Sequence, residues 1–250
     1  MKIITSTQNP LIKELKKLQS THARKKTTPT FIVEGKRAVA TCITSSKLSL
    51  VHILCTPELV AWVDEQKIPD EIIVQTTKEI IQDLSSATTP SGIVGIFQPT
   101  QEPCTKLGSS LVLAEIQDPG NMGTLIRTAT ALGVECIIIG GTSPYHPKVI
   151  QSTAGVLAHA SIRQMSWKEF IQHTTQEKIT TIALAPDQGI PISQAHTDQH
   201  FALIVGNEAR GLPKEWLDEC AIQAHIPMKN SIESLNAATA GAIALYELIR

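Results

Sequence analysis

The sequence lacks the features that would place it outside ordinary globular proteins. Its amino terminus, MKIITSTQNP, has no apolar core of the kind that a secretory signal peptide requires. No apolar run approaches the roughly 18 residues that span a bilayer. Five cysteines are scattered along 250 residues without a C-x-x-C pair, which argues against a disulfide scaffold or a zinc ribbon. We therefore expect a protein of the reducing cytoplasm.

Aromatic residues and nucleotide-binding signatures are also scarce. The chain has three Trp, two Tyr and four Phe, and they do not alternate with the basic residues, so base stacking is not expected to be the main contact with a nucleic acid. Neither G-x-G-x-x-G nor G-K-[ST] is present. His196 and His200 have the spacing of paired metal ligands, but no third ligand accompanies them, so we expect no metal site.

Charge is unevenly distributed, although the net charge is only −1. Residues 1–40 contain seven Lys, two Arg and two Glu, which gives +7 and leaves −8 for the other 210 residues. A basic end on an acidic body is typical of a chain that presents one face to phosphates. Lysines on the outer side of a solvated helix would give the same pattern.

The chain is predicted to contain two domains joined by a linker. Residues 98–109 are polar, contain Pro and Gly, and show no periodicity, which favours a linker. In residues 1–97 a helix is predicted from Asn9, as the N-cap, to Gln19, and short apolar runs then alternate with helical stretches. This part is predicted to be a smaller α/β domain.

Residues 110–250 alternate more regularly between apolar runs and helical stretches. The predicted strands are Leu111–Ile116, Cys136–Ile139, Thr180–Ala185, Phe201–Val205 and Ala221–Ile226. Strands separated by helices predict an α/β domain with a mostly parallel sheet and helices on both faces. Ser166 and Glu169 fit a capping box. The last helix is predicted to begin at Ser234 as N-cap and to bury one face, which contains Leu235, Ala238, Ala242, Leu245, Tyr246 and Ile249.

Three polar stretches follow predicted strands, at the sheet edge where α/β proteins bind ligands: 117–123, 206–211 and 227–234. In the first, Asp118-Pro119-Gly120 predicts a turn, and a helix is expected to begin near Asn121. Arg127 lies on the side of that helix opposite its apolar stripe. It is either a site residue or an arginine that points to solvent.

The second and third stretches carry glycine and capping residues. Gly206 and Gly211 suit a positive φ or a close approach of a ligand, although an ordinary strand–turn–helix connection has the same composition. Glu208 is either a site residue or a helix-capping charge. In the third stretch the Ile226-Pro227 bond predicts an extended exit from the strand, and Ser234 and Asn236 are either caps or site residues.

These strings, in this order, resemble the SpoU-type, TrmH-like RNA 2′-O-ribose methyltransferases of the SPOUT trefoil-knot superfamily. The resemblance rests on IQDPGNMGTLIR, IVGNEARGL and IPMKNSIESLN, and on YHPKVIQSTAG, in which Thr153 stands where Ser is usual. Residues 5–97 resemble the family's substrate-binding domain in STQNPLIKELKKL, TFIVEGKR and TTPSGIVGIF. The similarity covers nearly the whole chain.

The resemblance implies a deep trefoil knot, S-adenosylmethionine as cofactor, RNA as substrate, and a homodimer with the site near the subunit interface. It implies catalytic roles for Arg127, Asn121, Glu208, Ser234 and Asn236. It implies cofactor-binding roles for Leu184, Gly206, Asn207, Gly211, Ile226, Met228 and Leu235. The candidate RNA-binding residues are Asn9, Arg24, Lys25, Lys26, Lys36 and Arg37.

Analogy within the family favours large-subunit ribosomal RNA as the substrate. The alternatives are a tRNA ribose methyltransferase and a non-catalytic RNA-binding assembly factor. The retained Asn121, Arg127, Glu208, Ser234 and Asn236 speak against the second of these. A small-molecule methyltransferase is a further alternative, against which the basic amino-terminal domain speaks.

Overall fold

The structure is a computed structural model. It describes residues 1–18, 29–85, 87, 89–100, 106–153, 155–186, 188–195, 197, 199–229 and 234–250. The chain forms two compact units. The first comprises Met1–Glu102 and Tyr145–Ala158, and the second comprises Pro103–Pro144 and His159–Arg250. No helix within the described residues is long and apolar enough to cross a bilayer.

The described residues form twelve strands and nine α-helices, together with a few short 3₁₀ turns. The strands are β1 (Lys2–Ile4), β2 (Phe31–Glu34), β3 (Leu48–Cys55), β4 (Ile73–Thr76), β5 (Ile93–Pro99), β6 (Ser110–Ala114), β7 (Glu135–Ile139), β8 (Ile162–Gln164), β9 (Thr180–Leu184), β10 (Ile190–Pro191), β11 (Phe201–Val205) and β12 (Ile222–His225). The helices are α1 (Pro10–Lys17), α2 (Lys36–Ile43), α3 (Val60–Glu65), α4 (Lys78–Leu84), α5 (Pro119–Ala131), α6 (Pro147–Ser152), α7 (Trp167–Glu177), α8 (Lys214–Glu219) and α9 (Ala237–Ile249).

The first unit contains a five-stranded mixed sheet in the order β1-β4-β3-β5-β2. Strand β5 pairs antiparallel with both β3 and β2, while β4 pairs parallel with β1 and β3. Helix α1 begins where predicted, because the Asn9 side chain accepts a hydrogen bond from the N–H of Leu11 and Pro10 occupies the first turn. Ile12 and Leu15 of this helix pack into a core with β4 and β5.

The second unit contains a seven-stranded sheet in the order β10-β12-β9-β11-β6-β7-β8, and every neighbouring pair is parallel. All five residues of β6 and all five of β11 are buried. Strands buried on both faces require helices on both sides of the sheet, which explains their continuous apolar sequences. The predicted α/β class and the mostly parallel sheet are confirmed.

Helices α5 and α9 pack together beside the central strand β11. A Cβ atom on Gly241 of α9 would lie 2.6 Å from Cδ2 of Leu125 and 3.0 Å from Cγ2 of Val205. Glycine at this position therefore lets α9 approach α5 and β11 closely. This approach brings the first turns of both helices to the edge where β11 ends.

The helix caps of the second unit agree with the predictions only in part. The capping box of Ser166 and Glu169 is formed. The prediction that Ser234 caps the last helix is wrong: the N-cap is Asn236, whose Oδ1 accepts hydrogen bonds from the N–H groups of Ala238 and Thr239. The prediction that Tyr246 and Ile249 are buried is also wrong, since their exposed fractions are 60% and 42%. Helical spacing identifies a face but does not show how far a covering surface extends.

The segment Tyr145–Ala158, which lies within the predicted domain 110–250, groups instead with the first unit. The ring of Tyr145 stacks on Phe31 with centroids 5.0 Å apart, and the Ser45 hydroxyl donates a hydrogen bond to the Ala158 carbonyl. The sequence could not reveal this, because a short helix between two strands does not indicate which sheet it covers.

Candidate active site

The candidate site lies at the carboxyl edge of the parallel sheet in the second unit. Strands β6, β11, β9 and β12 are consecutive neighbours, so the loops that follow them leave the sheet at the same edge. The loops after β9, β11 and β12 and the first turn of α9 surround a cavity of about 370 Å³. This volume lies within the usual range for small-molecule and cofactor sites, roughly 300–1,000 Å³.

All seven residues predicted to bind the cofactor line this cavity. They are Leu184, Gly206, Asn207, Gly211, Ile226, Met228 and Leu235, and the predicted catalytic residues Glu208 and Ser234 line it as well. The sequence analysis missed other lining residues, which are Ala185, Pro186, Val205, Ala209, Arg210, His225, Ala237 and Ala240. Most of them lie next to a predicted site residue in the sequence, and this adjacency is the signal that could have identified them.

Gly206 is required by the close approach of the turn that follows β11. A Cβ atom there would lie 2.7 Å from the carbonyl carbon of Gly211 and 2.8 Å from the backbone nitrogen of Leu212. Neither backbone atom can move aside without opening the turn. Gly211 itself has a φ of 65°, which favours glycine. The glycines thus shape this wall of the cavity.

Asn207 holds the same turn together. Its backbone forms an antiparallel bridge with Gly211, and its Oδ1 accepts hydrogen bonds from the N–H groups of Ala209 and Arg210, each at 3.0 Å. Its Nδ2 donates to the carbonyl of Glu115, the first residue after β6, at 3.0 Å. Both ends of the Asn207 amide are therefore used in positioning loops.

The Glu208 carboxylate is bound by neutral N–H donors. Its two oxygens accept from the backbone nitrogens of Gln117 at 3.2 Å and Asp118 at 3.1 Å, and from Nδ2 of Asn121 at 3.0 Å. Burial by itself raises the pKa of Glu208, but these hydrogen bonds outweigh burial and lower that pKa below its ordinary value. A carboxylate with a lowered pKa is a weak base, and these hydrogen bonds tie Glu208 to the loop before α5.

Asn236 and Asn121 extend this arrangement into a directed chain of hydrogen bonds. Oδ1 of Asn236 is occupied by the cap of α9, so its Nδ2 donates to Oδ1 of Asn121 at 2.9 Å. The Asn121 amide must then direct its Nδ2 at Glu208, as observed. The backbone N–H of Asn121 also donates to Oδ1 of Asp118, the N-cap of α5. Three of the predicted catalytic residues are thereby brought together.

Arg127 is placed differently. It is exposed on α5 and does not line the cavity. Within the described part of the chain, no hydrogen bond or ion pair of its guanidinium is found. Its guanidinium presents a positive charge to the surroundings of α5.

The comparisons with known proteins agree with this architecture. The model of the SpoU rRNA methylase family matches residues 108–246, more than half of the chain. The chain belongs to this family. The model of an MRM3-like substrate-binding domain matches residues 9–95 of this chain.

Its relatives include characterised and uncharacterised methyltransferases. The chain is 29% identical to the 23S rRNA (guanosine(2553)-2′-O)-methyltransferase RlmP of Bacillus subtilis, over 99% of each chain. It is 30% identical to an uncharacterised tRNA/rRNA methyltransferase of Synechocystis, over 99% of this chain and 93% of the relative. Its fold matches an AdoMet-bound rRNA methyltransferase from Sinorhizobium meliloti with a TM-score of 0.85 and 26% identity, over 98% and 96% of the two chains.

The candidate RNA-binding residues of this SpoU family member lie in the first unit. The Asn9 side chain caps α1, while Lys36 and Arg37 are exposed in the first turn of α2. Nζ of Lys36 lies 5.3 Å from the ring centroid of Trp62. The sequence did not predict this contact, because the two residues are far apart in the chain. Arg24, Lys25 and Lys26 lie outside the described residues, as does His196.

Proposed function

We propose that this protein transfers the methyl group of S-adenosylmethionine to a ribose 2′-hydroxyl of large-subunit ribosomal RNA. The observation that carries the proposal is the cavity at the sheet edge, which combines a backbone-rich turn with the hydrogen-bonded chain of Asn236, Asn121 and Glu208 beside it. Membership in the SpoU family and the ribosomal RNA specificity of the Bacillus relative support it.

The cavity suits a cofactor that is recognised by shape and backbone groups. Leu184, Ile226 and Leu235 offer apolar surface for a planar base, and the turn after β11 lines the same cavity. A Cβ at Gly206 would collide with the backbone of this turn, so the wall has one fixed shape. The cofactor would supply an electrophilic methyl group on a sulfonium centre, and Met228, Asn207 and Gly211 complete the proposed binding set.

The protein's remaining task is to align and stabilise the attacking oxygen. A guanidinium does not readily give up its proton, so it is poorly suited to act as a base. We therefore assign Arg127 to stabilise the negative charge that develops on the 2′-oxygen. Asn121, Glu208 and Asn236 act as positioning residues for the loop that leads into α5. Ser234, which lines the cavity, is assigned to shape the pocket near the reacting groups.

The proposed working form is a homodimer in the cytoplasm. In each proposed subunit, the last helix passes through a loop and so forms a trefoil knot. Three large apolar side chains of α9 are exposed, at 44% for Ile243, 60% for Tyr246 and 42% for Ile249. This stripe favours coverage by a second copy, and α9 packs against the helix that carries Arg127. Tyr246→Glu is expected to give monomers in analytical ultracentrifugation, whereas a wild-type monomer would contradict the dimer.

Transfer of labelled methyl groups to large-subunit ribosomal RNA tests the activity. The wild-type protein is expected to label one nucleotide at its 2′-oxygen, while Arg127→Ala lowers the rate at least 100-fold. Lys168→Ala, which removes an exposed cation from α7, serves as the matched control and should leave the rate unchanged. Equal labelling by the Arg127→Ala protein would remove that residue from the mechanism, and label on tRNA alone would redirect the substrate assignment.

A further inference from the structure

The chemistry proposed above brings an anionic RNA strand to a unit that is itself acidic. Residues 103–144 and 159–250 contain nine Lys and Arg against thirteen Asp and Glu. Among the described residues that line the cavity, Arg210 is the single Lys or Arg. A positive charge at this position would offset the unfavourable field that an approaching phosphate meets.

The turn after β11 holds the backbone of Arg210 rigidly. Its N–H donates to Oδ1 of Asn207 at 3.0 Å, and the bridge between Asn207 and Gly211 closes the turn around it. The side chain is nevertheless exposed. A charged side chain on a fixed backbone loses less conformational freedom when it binds a partner than one on a flexible loop does.

No carboxylate in the described part of the chain neutralises this guanidinium. Glu208, two residues earlier in the same turn, directs its oxygens to the nitrogens of Gln117, Asp118 and Asn121. No hydrogen bond or ion pair of the Arg210 side chain to another described residue is found. A planar guanidinium binds phosphate through two parallel hydrogen bonds, which suits an unpaired arginine at the rim of an RNA-modifying site.

We propose that Arg210 binds a backbone phosphate of the RNA strand at the mouth of the cavity and thereby places the target nucleotide. The inference rests on the proposed function and assigns a second, separate cation to the site. Arg127 faces the 2′-oxygen, and Arg210 holds the phosphodiester of the same strand. Loss of Arg210 should therefore weaken RNA binding without weakening cofactor binding.

The test compares Arg210→Gln and Arg210→Lys with Lys214→Gln, which removes an exposed cation from the same unit outside the cavity lining. Filter binding to large-subunit ribosomal RNA transcribed in vitro is measured over a series of salt concentrations, and S-adenosylmethionine binding is measured by calorimetry. For Arg210→Gln we expect about 10-fold weaker RNA binding and a salt slope reduced by about 0.7, the value for one single-strand phosphate contact. Arg210→Lys should keep the slope and recover part of the affinity.

Two results would overturn the proposal. RNA affinity and salt slope of Arg210→Gln equal to those of Lys214→Gln would exclude a phosphate contact. Weaker cofactor binding with unchanged RNA affinity would assign Arg210 to the cofactor's carboxylate instead. A wild-type protein that binds RNA but transfers no methyl group would refute the proposed function, while the RNA affinities would still decide the role of Arg210. Thermal unfolding of each variant, expected to match the wild type at these exposed positions, excludes misfolding as the cause.

Discussion

Substitutions of Asn236 should separate the stability of α9 from the order of the active site, because the two halves of this amide have different partners. Oδ1 caps the helix, and Nδ2 donates to Asn121. Asn236→Ala removes both and should cost about 1 kcal/mol through the lost cap, with a further ~1 kcal/mol from the lost side-chain hydrogen bond. For a chain of this size that corresponds to a lowering of Tm by roughly 4–8 °C.

Asn236→Asp keeps the cap and loses only the donor. An aspartate also suits the positive end of the helix dipole, which offsets most of the ~1 kcal/mol lost with the hydrogen bond to Asn121, so Tm should remain within about 2 °C of the wild-type value. Its carboxylate cannot donate to Asn121, whose amide would have to turn and direct its oxygen towards Glu208. Two acceptors facing each other would displace the loop before α5, and we expect the rate of methyl transfer to fall at least 10-fold, about 1.4 kcal/mol in activation free energy.

The two variants are compared by thermal unfolding and by single-turnover transfer of labelled methyl groups to ribosomal RNA. The reasoning predicts that Asn236→Ala loses stability and activity, whereas Asn236→Asp loses activity alone. If Asn236→Asp transfers methyl groups at the wild-type rate, the directed chain of hydrogen bonds has no catalytic importance and the argument is refuted.

Three further predictions concern single residues. Gly206→Ala should weaken S-adenosylmethionine binding in calorimetry at least 10-fold, because its Cβ would meet backbone 2.7 Å away; unchanged affinity would contradict the rigid turn. The lowered pKa of Glu208 means that its ionised form stabilises the fold above the ordinary pKa of 4.5, and that this contribution is lost as pH falls towards the lower folded value, so Glu208→Gln should flatten the acid limb of the stability profile. Burial raises the pKa of Cys42 and of Cys55 to about 11, so both thiols should resist alkylation at pH 8 until the protein unfolds, as mass spectrometry of labelled peptides would show.

The sequence predicted the location of the site better than its internal contacts. Alternating apolar runs and helical stretches implied a parallel sheet, and the polar stretches 117–123, 206–211 and 227–234 were therefore expected to share one edge. The bonds that join Asn236 to Asn121 and Asn121 to Glu208 cross 115 and 87 positions of the chain. No local pattern encodes such contacts, since they depend on how α5 and α9 pack.

The position of the last cap shows the same limit on a smaller scale. Ser234 and Asn236 are equally good caps by residue type, and the choice between them follows from the tertiary bond to Asn121. The exposure of Tyr246 likewise depends on the extent of neighbouring helices, which helical spacing does not contain. Local chemistry thus restricted the candidates, and tertiary packing selected among them.

The assignment of Tyr145–Ala158 to the first unit has a practical consequence for dissecting this protein. The chain leaves the second unit after Pro144 and re-enters it at His159, so cutting at the single linker would not yield two self-sufficient pieces. A recombinant fragment that starts at residue 110 would carry Tyr145 without the Phe31 ring that it stacks on. Such a fragment should bind hydrophobic dyes and precipitate, whereas splicing Pro144 to His159 through a short glycine-rich bridge should restore its solubility.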